Sequence, residues 1–352
     1  METKLKETLE GVRLLEGADF HCHEEALFEE YQKQEENKST SVIKILTFLG
    51  IFLASLTFLG FLALVHLFDS EVSVLILGVC LLFFSVFLNK KYDELIINLF
   101  RISAYLIGGG LVIVGLFELH LEENMVIGLV IAAAVALLMA TNNYIIAFIS
   151  VIVVNGAMLV WINENALDAL NIYLSYNIFI MTFFFLNEAE IITYNAKASK
   201  LYDPIRVGLV VSFMFGLIMS SSNYIHQNAI WVSSVIIILT LLYVVHIILK
   251  INKIELLKHQ IFVYLLTASI LVPTIYSPSI SGAILIILLS FLVNYKTSLV
   301  IGLGALIYFI SLYYYDLSIT LLAKSIILFS SGVLFIVFYL LINKKLNTNE
   351  KV

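Results

Sequence analysis

A chain of 352 residues that is 61% hydrophobic and 13% charged, with a mean hydropathy of +1.00, is far more apolar than a soluble domain, where about 45–50% apolar and about 25% charged residues are usual. These proportions exclude a water-soluble globular fold and imply an all-α polytopic transmembrane helix bundle. The net charge of −6 does not mark a basic or acidic partner: eleven of the 26 acids precede Val42, and no basic patch exists on which nucleic acid binding could rest.

Residues Met1 to Ser41 carry two helical patterns, Leu5, Leu9, Val12 and Leu15, then Ala26, Leu27, Phe28 and Tyr31, with a break at Gly17 to Asp19. They predict a cytoplasmic N-terminal helical segment (1–41), folded as a small hairpin whose narrow apolar stripe needs the membrane domain or a partner to cover it. A solvated charged arm is the other reading of the same charge density. The first apolar run begins only at Val42, too far along for the h-region of a cleavable signal, so it reads as an uncleaved anchor. Cys22 lies in the polar segment and Cys80 in an apolar run, so both are expected reduced.

Apolar runs follow at about 42–68, 72–88, 95–117, 125–140, 144–162, 172–187, 205–222, 229–249, 261–276, 279–293, 297–315 and 317–342. Several hold about 15–17 residues, slightly below the roughly 20 that cross a flat bilayer, so the expectation is about 12 spans. The stretch from Asn187 to Arg206, the longest polar interruption between them, reads as a central cytoplasmic connector with about six runs on each side. Loop charge supports the count. Alternate loops carry Lys90 and Lys91, none at Thr141 to Asn143, then Lys197 and Lys200, then Lys250, Lys253 and Lys258, then Lys296, and finally Lys344, Lys345 and Lys351. The opposite loops carry no Lys or Arg and hold acids: Asp69 and Glu71, Glu118, Glu122 and Glu123, Glu164 and Asp168, and Asp316. Because cytoplasmic loops carry the excess of Lys and Arg, a 42–342 membrane domain and a 343–352 tail with both termini cytoplasmic are predicted.

Small residues predict where helices approach closely. Gly128, Ala132, Ala136 and Ala140 repeat every four positions, which suggests a central fourth helix. Gly108 to Gly110, Gly302, Gly304 and Pro273 mark further places for close approach or a kink. No phosphate-loop motif and no repeat between the two halves is present.

Every Asp and Glu lies in a loop, at a span edge or in a terminal segment, which argues against a carboxylate-driven ion-coupled carrier. Arg101 in the third run and Lys324 in the twelfth are the candidate functional intramembrane residues. Arg101 shares a helical face with Asn98, Tyr105 and Gly108, and Lys324 shares one with Thr320 and Ser331, so each polar stripe should face the bundle interior. Two readings stand for each cation: a snorkelling or structurally paired side chain, about 10 Å from a span end, or a substrate or ion site. Asn155 and Asn177 suggest interhelical hydrogen bonds, and His66 and His246 interfacial histidines with satisfied partners. His21, Cys22 and His23 are adjacent residues that seldom converge on one metal ion. With no HExxH, no CxxC and no paired Ser and His, no enzyme, cofactor or metal is expected.

The stretch NYKTSLVIGLGALIYFISLYYYDLSITLLAKSIILFSSGVLFIVFYLLI, from Asn294, resembles the end of an uncharacterised bacterial family of polytopic membrane proteins, a domain of unknown function. Its pattern is a glycine-containing helix, the Tyr313 to Tyr315 edge, a short turn at Asp316 to Ser318, then TLLAKS and a Ser-Gly step. The helical N-terminal segment and the LYDP after the sixth run resemble the same group, so the likeness covers nearly the whole chain. It implies a bacterial inner-membrane location and carries over no activity and no catalytic residue. Two function classes follow: a non-enzymatic membrane component or scaffold partner, with the bilayer and another membrane protein as its partners, and a transporter or flippase-like permease.

Overall fold

A computed structural model describes residues 41–64, 70–88, 95–165, 168–221, 229–252 and 257–316, with isolated helical positions between 322 and 336. Each of the first eleven apolar runs has its helix. In chain order they are α1 (Ser41–Leu64), α2 (Glu71–Leu88), α3 (Leu95–Glu118), α4 (Glu123–Ala140), α5 (Tyr144–Asn165), α6 (Ala169–Leu186), the short α7 (Glu188–Tyr194), α8 (Ala196–Ser221), α9 (Ile230–Ile251), α10 (Leu257–Leu271), α11 (Pro278–Leu292) and α12 (Lys296–Asp316). Seven helices among the described residues are long and apolar enough to cross a membrane, with four shorter apolar helices beside them, which suggests a multi-pass membrane protein. The expected N-terminal hairpin lies outside the described residues, as does the twelfth run, 317–342, apart from those isolated helical positions.

The chain divides into two compact units, Met1–Leu119 and His120–Val352. In the first, α2 and α3 pack with their backbones nearly touching. A Cβ on Gly78 would lie 2.8 Å from the Val112 amide nitrogen, and one on Gly108 would lie 2.9 Å from the Gly78 carbonyl oxygen, so only glycine fits either position. Gly109 and Gly110, by contrast, face open space. The sequence marks the right helix for close approach, and Gly108 is the glycine that makes it.

In the second unit the core is formed by α6, α8, α9 and α11, where Leu174, Phe185, Phe213, Leu217, Leu241 and Ile286 are buried. The expectation of a central α4 is overturned: Gly128, Ala132, Ala136 and Ala140 are all exposed, and a Cβ on Gly128 would meet nothing within 4 Å. The face that α4 turns inward carries Val126, Ile127 and Ala134 instead. The central helix is α8. A Cβ on its Gly208 would lie 2.8 Å from Val151 of α5, one on its Gly216 would lie 2.8 Å from the Tyr173 ring of α6, and one on Gly282 of α11 would lie 2.6 Å from its Leu217. Pro273 ends α10 by converting its last turn to a 3-10 segment, Val272–Tyr276, as expected of a residue that cannot donate the next helical bond.

The loops of this unit sort to two ends. The Lys197 ammonium donates to the Met139 carbonyl, and Arg206 reaches Tyr295, so the 141–143, 187–195 and 293–295 connections share one end. At the other, Asn165 donates to Asn124 across 2.9 Å and Asn171 to the Ala229 carbonyl across 3.1 Å. A cavity of about 210 Å³ lined by Ser220, Tyr276, Ser279 and Asp316 joins the helix ends there. Among the described residues of this unit, Lys197 and Lys200 thus lie at one end, and Glu123, Asp168 and Asp316 at the other.

Candidate functional site

The stretch from Asn187 to Arg206 is not an irregular connector. It folds as α7 and the first turns of α8, and local chemistry explains the fold. Asn195 is extended, and its side-chain oxygen accepts from the Ala198 amide at 2.6 Å, the N-cap bond that starts α8. From there Leu201, Tyr202, Arg206 and Val207 turn inward while Lys197, Lys200 and Asp203 stay exposed. Pro204 is accommodated inside the helix at the cost of one backbone bond.

This register carries Arg206 into the protein, where it is 3% exposed. Its Nη1 donates to Glu188 Oε1 at 3.1 Å and its Nη2 to Asp203 Oδ1 at 2.6 Å. The guanidinium carbon lies 3.3 Å from the centroid of the Tyr295 ring, 4.7 Å from that of Tyr202 and 5.8 Å from that of Phe185. Tyr202 in turn donates from its phenol to the Phe184 carbonyl at 2.9 Å. One cation thus ties the end of α6, the start of α7, the first turns of α8 and the α11–α12 turn together. Both carboxylates engage the guanidinium and aromatic rings pack against it, so the arrangement is a clamp and not an open anion receptor. Because Asp203 and Glu188 keep access to solvent while the guanidinium is buried, each charged hydrogen bond contributes about 1–3 kcal/mol, and a desolvated cation over a ring contributes up to about 2 kcal/mol more.

Tyr295 is delivered by a defined helix end. At the end of α11 the Asn294 amide donates to Phe291 O at 3.1 Å and the Tyr295 amide to Ser290 O at 2.8 Å, the paired bonds of a Schellman motif. Asn294 has φ 54°, a left-handed conformation that asparagine tolerates better than most residues.

Of the two cations singled out in the sequence, Arg101 is 1% exposed in the first unit and its Nη1 donates to Asn98 Oδ1 at 2.8 Å, while Ser85 Oγ donates to the Arg101 carbonyl at 3.0 Å. Tyr105 and Gly108 are buried on the same face, so the predicted polar stripe does turn inward. Lys324, with Thr320 and Ser331, lies outside the described residues, as do His66 and the His21, Cys22 and His23 cluster. Cys80 is a free thiol. His246 Nδ1 meets the Tyr264 hydroxyl at 2.8 Å, the satisfied pairing expected of it. Asn155 and Asn177 differ from expectation: each donates to the carbonyl four residues back in its own helix, Val151 and Tyr173, and not across helices. No group of three or more metal-ligating side chains occurs among the described residues.

A second feature was not anticipated. Between α6 and α9, which run side by side in the same direction, a groove of about 470 Å³ extends from Ser175 to Asn187 on one wall and from Ile236 to Tyr243 on the other. A wider trough from Asp168 to Phe179 continues it, sharing Ser175 and Phe179. Neither wall shows in the sequence, because both helices are apolar on every side and the groove is a product of their spacing.

No curated protein and no solved structure matches the chain. A family described as a domain of unknown function, DUF4401, matches residues 40–345. That match takes in all the helices described above together with the Arg206 clamp and the α6–α9 groove, and the chain belongs to the DUF4401 family.

Proposed function

We propose that the protein is a non-enzymatic component of the bacterial inner membrane that assembles with another membrane protein, with about twelve spans and both termini in the cytoplasm. One observation carries the reading: the Gly128, Ala132, Ala136 and Ala140 stripe is exposed, and among the described residues no helix of its own unit covers it. In a bilayer, where apolar surface alone gives helices no reason to associate, such a flat strip is what lets a second backbone approach closely. The Arg206 clamp supports the same reading, since it fixes the lysine-bearing end of the bundle as a rigid platform. The orientation rests on the excess of Lys and Arg at that end.

A photo-crosslinking side chain at Ala132 tests this in the native membrane. A discrete adduct with one other membrane protein supports it; an adduct with the chain's own first unit, or with lipid alone, contradicts it. A flippase-like permease is the second reading, favoured by the membrane-length groove between α6 and α9. Lipid movement in vesicles containing the purified protein would favour that reading over the first.

A further inference from the structure

We propose that the groove between α6 and α9 is a binding site for one acyl chain of a membrane phospholipid. The floor is set by Ile178 and Thr182 of α6 and by Ile236 and Thr240 of α9, while Phe179, Phe183, Leu239 and Tyr243 stand out along its rim, each more than half exposed. These side chains belong to spanning helices, so the solvent at the groove is hydrocarbon and its occupant is either a lipid tail or another helix.

Size decides between them. Ser175 to Asn187 covers about 18 Å of helix rise, so a groove of about 470 Å³ has a mean cross-section of about 26 Å². An extended alkyl chain, whose carbons pack at roughly 4 Å, needs about 20 Å². A helix of about 10–12 Å diameter needs about 80–110 Å². The bulky rim gives a second reason, since Phe179, Phe183, Leu239 and Tyr243 hold a second backbone away from the Ser175, Thr182 and Thr240 floor. Length agrees as well: about 18 Å compares with about 15 Å for one leaflet of a hydrocarbon core roughly 30 Å thick.

Polarity orients the lipid. At the groove's end Asn187 uses one amide hydrogen on the Phe183 carbonyl at 2.9 Å and keeps another, and Tyr243 adds a phenol. Asn187 lies about 14 Å from the middle of α6 along the helix axis, the depth at which the glycerol esters of a leaflet sit, so the ester carbonyls meet these donors while the tail runs toward Ser175. Deeper, the Thr182 hydroxyl is buried without a hydrogen-bond partner. Occupancy by a tail holds whether or not the protein also moves the lipid.

The test uses the full chain in vesicles of phosphatidylethanolamine and phosphatidylglycerol, doped with a phosphatidylethanolamine whose acyl chain carries a diazirine. After illumination, adducts on Ser175–Asn187 and Ile236–Tyr243 should exceed those on equally exposed residues of α10, such as Leu265, by about fivefold or more. Thr240→Phe or Ser175→Leu, each checked for an unchanged melting curve, should remove that excess while α10 labelling persists. Labelling in simple proportion to exposure in the parent protein, or an excess that survives a well-folded groove-filling variant, overturns the proposal. So does an unlabelled groove, the result expected if a helix fills it.

Discussion

The Arg206 guanidinium carbon sits 3.3 Å from the centroid of the Tyr295 ring, joining the first turns of α8 to the turn between α11 and α12. Because Glu188 and Asp203 bond the same guanidinium, the contact is a desolvated cation over a ring and not a surface stack. Arg206→Met should lower stability in detergent by about 1–3 kcal/mol, since Glu188 and Asp203 lose their counter-charge but, being partly exposed, regain water. Tyr295→Leu should cost about 1–2 kcal/mol. Arg206→Lys should recover only part of the loss, because an ammonium cannot donate to both carboxylates in one plane while lying flat on a ring. Equal melting temperatures for the parent and Arg206→Met would remove the clamp from the account.

The position of Tyr295 depends on the left-handed Asn294. Asn294→Gly should match or slightly exceed the parent in thermal stability, and Asn294→Val should fall by about 1–2 kcal/mol, the cost of a side chain in that region. Thermal melts of both variants check it, and their order is the decisive feature.

The two glycine environments make opposite demands. Gly216→Leu drives atoms into the Tyr173 ring and should prevent a stable fold or cost about 3 kcal/mol or more, whereas Gly128→Leu meets nothing and should leave the isolated protein as stable as the parent. Size-exclusion profiles and melts in detergent distinguish the two. Similar damage from both would show that α4 is packed within the protein after all.

Reporter fusions after Lys200 and Lys345 should report cytoplasm, and fusions near Glu122, Asp168 and Asp316 should report the opposite side, following the charge alternation of the loops. One inverted reporter between Glu122 and Lys200 would contradict the orientation.

Much of this architecture was legible in the sequence because lipid leaves the backbone few options: an apolar run of spanning length must pair its own amides, so runs become helices. Arg101 was found for the same reason, a charge inside an apolar run being conspicuous. Arg206 was not. It stands where a polar stretch passes into an apolar one, and average polarity there reads as a loop, although Asp203 three positions before it and the inward-facing Leu201 and Tyr202 already describe one helical face. The α4 stripe was read as the mark of a central helix and lies exposed instead, since small residues allow close approach without saying to what. Asn155 and Asn177 were read as bridges because a buried amide needs a partner, and the helix supplied one four residues back. The α6–α9 groove had no sequence signal at all, for it is defined by the distance between two uniformly apolar helices.

The central claim, that α4 presents a face for another membrane protein, is tested most directly by affinity purification from the native membrane with quantitative mass spectrometry. The parent should be compared with Ala132→Phe and with a control, Leu265→Phe, on the exposed face of α10. The account predicts a membrane protein recovered in stoichiometric amount with the parent and the control and reduced about tenfold or more with Ala132→Phe, all three proteins melting alike. Recovery unchanged by Ala132→Phe, or no stoichiometric partner with any of the three, would contradict it.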